Sequence, residues 1–165
     1  MIVVSDATPL ISLMKIGHLD LLQYYFGEVQ IPPAVYNELI TNTNYQDEAN
    51  LIKDCPFIHI VKLSNYLEVN LIRKTEGLDL GESEAIVLSN EIKAELLLMD
   101  ELKGRQVAEQ MGIRIMGTIG LLLASYEKRY LSPEEIRECV CLLKTSGRHI
   151  GERYFNLLLD RIEKF

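Results

Sequence analysis

Four apolar residues in unbroken succession, Leu96-Leu97-Leu98-Met99, run directly into Asp100, and they constrain the fold of this 165-residue chain more than any other feature. A strand with one face in a core alternates apolar and polar residues. An uninterrupted apolar run is a strand covered on both faces, as in a parallel sheet between layers of helices. The flanking segments agree. Gly81 to Lys93 carries Ala85, Ile86, Leu88 and Ile92 at helical spacing, Glu101 to Met111 reads as the next helix, and Ile113 to Met116 as the next strand.

The N-terminal half repeats the alternation. Ile2-Val3-Val4 is a short β-branched strand ended by Ser5-Asp6, and Leu10, Ile11, Leu13, Met14 and Ile16 then follow a helical period, with Thr8 as the expected cap before Pro9. A helix over about His18 to Tyr25 leads to a strand at Glu28 to Ile31. Pro32-Pro33 ends it, and Ala34 to Ile40 turns helical. Asp47 to Asp54 is read as helix, Phe57 to Val61 as strand and Tyr66 to Lys74 as helix. Gly117-Thr118-Ile119-Gly120 opens a helix Leu121 to Arg129, Ser132-Pro133-Glu134-Glu135 is a capping box for a helix reaching about Thr145, and Ile150 to Phe165 is amphipathic. The expected architecture is an α/β fold with an open parallel sheet and helices on both faces.

No run of about 18 apolar residues is present, so no spanning helix is expected. Asp6 and Pro9 interrupt the only early apolar run and no basic segment precedes it, unlike a signal peptide. A cytoplasmic protein is the expectation, consistent with Cys55, Cys139 and Cys141 lacking the spacing of a zinc or redox pair. His18, His59 and His149 share no ligand spacing either. The formal net charge of -7 argues against a binder that holds nucleic acid through a broad basic surface. It leaves room for an enzyme that grips a few phosphates through cations held by clustered acids.

Open parallel sheets place their working sites outside the carboxyl ends of the strands. Asp6 and Asp100 each follow a strand at that end. Glu38, after Pro32-Pro33, and Glu82, after Leu80-Gly81, project from helices that start there. Four converging carboxylates repel one another unless a divalent cation neutralises them, and an oxygen-only donor set suits Mg²⁺ or Mn²⁺. The chemistry that uses such a site is displacement at phosphorus, where bound cations acidify a water and stabilise phosphoryl charge.

Five blocks, in order, resemble the PIN-domain nucleases: Ser5-Asp6-Ala7-Thr8-Pro9-Leu10-Ile11, the segment Ile31 to Leu39, Leu78-Asp79-Leu80-Gly81-Glu82-Ser83-Glu84-Ala85-Ile86, Leu98-Met99-Asp100-Glu101, and the segment Gly112 to Gly120. The resemblance spans roughly residues 1 to 130. It implies a three-layer α/β/α sandwich with a central parallel sheet, and a ribonuclease site at Asp6, Glu38, Glu82 and Asp100 that binds Mg²⁺ or Mn²⁺. It also implies a homodimer and the toxin role of a toxin-antitoxin pair, with an antitoxin protein as partner. Glu82 matches the third family acid better than Glu84 does, with glutamate where aspartate is more usual. Residues 131 to 165 are read as a helical extension packed on the same domain, covering the sheet edge, forming a dimer contact or docking an antitoxin.

Each residue also has a plainer reading. Asp6 can cap the helix that follows it. Glu38 can be a solvent-facing helix residue. Asp79 and Glu82 have the spacing of a capping box, in which Glu82 serves only the backbone. Thr118 can bind a metal-held water or phosphate, or act as a simple cap. Ser5, Asp79, Glu84 and Glu101 are supporting candidates, Lys103 and Arg105 can contact phosphate or lie on a solvated face, and Tyr24, Tyr25, Tyr36 and Tyr45 can stack on bases or pack in the core. A non-catalytic PIN-like module that binds nucleic acid or a protein partner through the same pocket is the rival from another class. Nucleotide binding on a flavodoxin-like sheet lacks its glycine-rich loop.

Overall fold

In the computed structural model, which describes residues 1–41, 46–147 and 150–163, five short strands form one all-parallel sheet. They are β1 (Val3–Ser5), β2 (Val29–Ile31), β3 (Ile58–Ile60), β4 (Leu96–Leu98) and β5 (Ile115–Met116), in the order β3-β2-β1-β4-β5. Tyr45 and His149 lie outside the described residues. The central strand β1 is in register with β4 through Val3 opposite Leu96 and Ser5 opposite Leu98, and β4 with β5 through Leu98 opposite Met116. All five carboxyl ends therefore open on one edge. The chain leaves β1 toward β2 on one side and β4 toward β5 on the other, so the switch point of the sheet lies between β1 and β4.

The helices are α1 (Ala7–Lys15), α2 (Leu21–Phe26), α3 (Pro33–Thr41), α4 (Gln46–Lys53), α5 (Tyr66–Glu76), α6 (Leu80–Glu91), α7 (Leu102–Gln110), α8 (Thr118–Glu127), α9 (Pro133–Thr145) and α10 (Glu152–Glu163). Strand side chains alternate between two cores. Val3, Leu96 and Leu98 face a core completed by α1, α3, α8, α9 and α10, while Val4, Leu97 and Met99 face one completed by α5, α6 and α7. This is the three-layer sandwich expected from the apolar run. The last two helices share the first core: Phe155, Leu158 and Ile162 of α10 are buried at helical spacing. Each such side chain stabilises the fold by about 1.5–3 kcal/mol relative to exposure.

Among the helix starts that differ from expectation are those of α1, α2 and α8. The first helix begins at Ala7, with Asp6 as its cap residue, because the Asp6 N–H still donates to the Leu98 carbonyl at 2.9 Å and keeps the chain extended to that point. Thr8 and Pro9 then fall in the first turn, where proline's missing N–H is not needed. The second helix starts at Leu21. The eighth starts at Thr118, three residues early, since β5 is only two residues long and a side-chain acceptor meets the Thr118 N–H.

Candidate active site

Asp6 is 3% exposed at the end of the central strand. Although it occupies the cap position of α1, its side chain makes no capping bond to the first turn. Burial holds its carboxyl well above the usual carboxylate range. The Ala7 backbone N–H opposes that rise, and the charges of Glu82, Asp79 and Glu38 reinforce it. The plain capping role thus leaves Asp6 unexplained, and three other acids act on it.

Gly81 marks where these acids meet. A Cβ built on Gly81 would lie 3.2 Å from Glu38 Oε2, 3.7 Å from Asp6 Oδ1 and 3.7 Å from Asp79 Oδ1. Three carboxylate oxygens, delivered by the end of β1, by α3 and by the cap of α6, thus lie within 4 Å of one point, the Glu38 oxygen closer than ordinary contact. Glu38 comes from an exposed helix position. Asp79, a supporting candidate in the sequence, stands as close to this point as Asp6 does.

Glu82 divides its role. Its Oε2 accepts the Asp79 N–H at 3.1 Å while its own N–H donates to Asp79 Oδ1 at 2.8 Å, a complete capping box on α6. Its carboxyl is nonetheless raised, first by burial and then by Asp79, Glu101 and Glu38, against the Asp79 backbone hydrogen bond. Glu84 stands one helical step beyond Gly81, on the same face. It is 5% exposed, and its Oε1 accepts the Ala34 N–H at 3.2 Å in the first turn of α3, the helix that carries Glu38. A signal for this was present in the sequence, because Gly81, Glu84, Ala85 and Leu88 follow an i, i+3, i+4, i+7 spacing that puts Glu84 inward.

Asp100 lies two residues beyond Leu98, past the end of β4, the strand that pairs with β1. Thr118 holds it with two donors: the backbone N–H to Oδ1 and the hydroxyl to Oδ2, each at 2.7 Å. Thr118 is therefore not a cap. It is the first residue of α8, and Asp100 supplies the negative charge that the N-terminus of that helix favours. Gly117 admits this contact, since a Cβ there would lie 2.9 Å from both Asp100 Oδ1 and Arg105 Nη1. From Asp100 a groove of about 610 Å³ follows the β5 edge toward α10, lined in part by Arg105, Ile115, Gly117, Tyr154 and Leu157.

The remaining candidates sit around this centre. The Ser5 hydroxyl, fully buried, donates to the Asp6 main-chain carbonyl at 2.8 Å and leaves the carboxylate to its acidic neighbours. Glu101 is exposed and acts through its charge on Glu82. Tyr24 and Tyr25 pack against Tyr130, with ring centroids 4.8 and 5.4 Å apart, as core or surface aromatics do.

The donor chemistry, all carboxylate oxygen, suits a hard divalent cation. Among the described residues, no group of three or more His, Cys, Asp or Glu side chains stands as a ready cage. Again among the described residues, no helix is long and apolar enough to cross a membrane. The sequence model of the PIN domain matches residues 2–164, almost the whole chain and both of its last helices. No curated protein matches the chain.

Proposed function

The chain belongs to the PIN-domain family, whose members are typically nucleases that use divalent metals, and on that premise we propose that it is a Mg²⁺- or Mn²⁺-dependent ribonuclease. The observation that carries this reading is the meeting of the Asp6, Glu38 and Asp79 oxygens over Gly81, beside Asp100 at the switch point of the sheet. Asp6 and Asp100 are the primary ligands in this reading, with Glu38 and an α6 glutamate completing the set. Glu82 supplies charge at the mouth while its oxygens hold the helix cap. Glu84, on the Gly81 face, ties α6 to α3 through the Ala34 N–H, while Glu82 is the α6 glutamate whose charge acts on Asp6.

When bound, a divalent cation would lower the pKa of a water and stabilise charge on the phosphoryl oxygens. The chain's own residues do the rest. Asp6, buried among like charges, would hold a cation whose positive charge offsets Glu38 and Asp79. Thr118 fixes both oxygens of Asp100 and so sets its orientation. Arg105, over Gly117, offers a donor to a phosphate held beside Asp100.

Single-turnover cleavage of a labelled RNA with Mn²⁺ tests the assignment. Asp6→Asn and Asp100→Asn should each lower the rate at least a hundredfold while circular dichroism stays native, and full activity in both variants would sink it. The Glu82→Gln variant is expected to lose more activity than Glu84→Gln, because glutamine keeps the capping box at 82 and the Ala34 bond at 84, and of the two only the Glu82 charge acts on Asp6.

A second reading has one observation in its favour: Glu82 is occupied by the cap, and the described acids do not form a ready cage. On that reading the pocket belongs to a non-catalytic module that recognises RNA or a protein partner. Calorimetry separates the two, since a pocket indifferent to millimolar Mn²⁺ supports the module. A toxin role with an antitoxin partner, a homodimeric state and a cytoplasmic location go with the ribonuclease proposal and are tested by co-purification and sedimentation.

A further inference from the structure

The helix that precedes the acidic centre ends in a cluster of opposite sign. The last turn of α5 carries Arg73 and Lys74, and Gly77 reverses the chain with a left-handed φ of 69°. Lys103, from the first turn of α7, reaches over the same reversal. Its Nζ lies 3.0 Å from the point a Gly77 Cβ would occupy, while the left-handed backbone is what favours glycine there. A hollow of about 400 Å³ opens beside this turn, lined by Asn70, Arg73, Lys74, Gly77 and Leu78, with no carboxylate in its lining.

A helix C-terminus favours cations, which accounts for Arg73 and Lys74 in the last turn of α5. It does not account for a third cation brought to the same turn by another helix. The chain carries 24 acidic and 17 basic residues, so acidic partners are plentiful. Yet the ion pairs among the described residues engage Lys15, His59, Arg137, Lys144 and Arg161, and none engages Arg73, Lys74 or Lys103. Arg73 and Lys74 on the hollow, with Lys103 beside it over Gly77, are like charges that repel one another, and an anion relieves that repulsion. Gly77 and Gly81 are four positions apart, so the hollow lies within about 14 Å of the acidic centre.

We infer that Arg73, Lys74 and Lys103 form a phosphate-binding subsite that holds the backbone of an RNA strand to one side of the acidic centre. The inference rests on the ribonuclease reading for the identity of the strand. It explains how a chain of net charge -7 recruits a polyanion: the cations are few, but they sit where the strand passes. The Asn70 side chain adds a neutral donor to the same phosphate oxygens.

The test is equilibrium binding of a single-stranded RNA oligonucleotide with methylated 2′ hydroxyls, which cannot be cleaved, to the full chain in EDTA over a range of KCl concentrations. Lys74→Ala and Lys103→Ala should each weaken binding about threefold to tenfold. Each should also reduce the slope of log affinity against log salt by about 0.7, the value for each phosphate of a single strand that the protein neutralises. Lys103→Arg should restore both. An unchanged salt slope in the alanine variants overturns the subsite, and so does weaker binding with an unchanged slope, which would mark a structural role for these lysines. Because neither cleavage nor divalent metal enters the measurement, an inactive protein that still shows the slope change would reject the ribonuclease reading and keep the subsite.

Discussion

Replacing Gly81 with alanine isolates the geometry on which the functional reading depends. Gly81 lies inside α6, where glycine is about 1 kcal/mol less favourable than alanine, so the backbone gains from the change. The new methyl carbon would sit 3.2 Å from Glu38 Oε2, closer than ordinary contact by a few tenths of an ångström, and 3.7 Å from the Asp6 and Asp79 oxygens. Glu38 is exposed, and its carboxylate is the far end of a flexible side chain that can swing away at little cost. Stability measured by urea unfolding should therefore change by less than about 1 kcal/mol in either direction. The displaced Glu38 carboxylate, however, no longer meets the Asp6 and Asp79 oxygens where it does in the native chain. Mn²⁺ affinity by calorimetry should fall at least about tenfold, equivalent to about 1.4 kcal/mol, and cleavage should fall with it. A Gly81→Ala protein that binds Mn²⁺ and cleaves RNA as the native chain does would refute the claim that these oxygens act together.

Asp6 links the site to stability. Its carboxyl is raised by burial and by its acidic neighbours, so its ionisation weakens the native state. The penalty is absent below the unfolded value of about 4 and grows as pH rises toward the folded value. In metal-free buffer Asp6→Asn should match the native chain near pH 4 and exceed it in stability at pH 8, and equal unfolding midpoints at pH 8 would contradict the assigned burial. Thr118→Val removes the hydroxyl that donates to Asp100 but keeps the N–H. It should cost about 1.5 kcal/mol, the low end for a bond to a charged group, because Asp100 is only half-buried; an unmoved urea midpoint would count against the clamp. Glu84→Ala leaves the Ala34 N–H without its acceptor and should cost about 1–3 kcal/mol, whereas Glu84→Gln retains an acceptor and should cost less. Equal losses in the two variants would show that the charge, rather than the hydrogen bond, ties α6 to α3.

The order of elements was legible in the sequence because each apolar run had a distinct period. Leu96 to Met99 could only be a strand buried on both sides, and the two cores divide its side chains accordingly. Positions at the strand ends were legible too, since Asp6 and Asp100 follow their strands directly. The helix starts were harder. Where α1 and α8 begin depends on bonds made across the sheet edge, from Asp6 to Leu98 and from Thr118 to Asp100, and spacing along one segment carries no information about them. Glu84 stands between the two cases: its spacing with Gly81, Ala85 and Leu88 turns it inward, but only the packing of α6 against α3 shows that its carboxylate meets the Ala34 N–H.

Net charge was the least informative quantity for function, and the reason is physical. Screening limits the reach of an exposed charge to about 8–10 Å in ordinary buffers, so a strand of RNA responds to the charges it passes and not to the sum over the molecule. Here the acids that matter are those around Gly81, where burial and mutual repulsion raise the carboxyl of Asp6 and a cation would offset that repulsion. The cations that matter lie over Gly77, four residues upstream, and beside Gly117, next to Asp100. Each of the three positions is a glycine whose missing side chain leaves space for a charged group from elsewhere in the chain. In a crowded α/β sandwich that is an economical way to bring opposite charges near one strand end, and it makes a specific demand: alanine at Gly77 or Gly117 should displace Lys103 or Arg105 and weaken RNA binding, while alanine at Gly112, which has open space around it, should leave RNA binding unaltered whatever its left-handed backbone costs in stability.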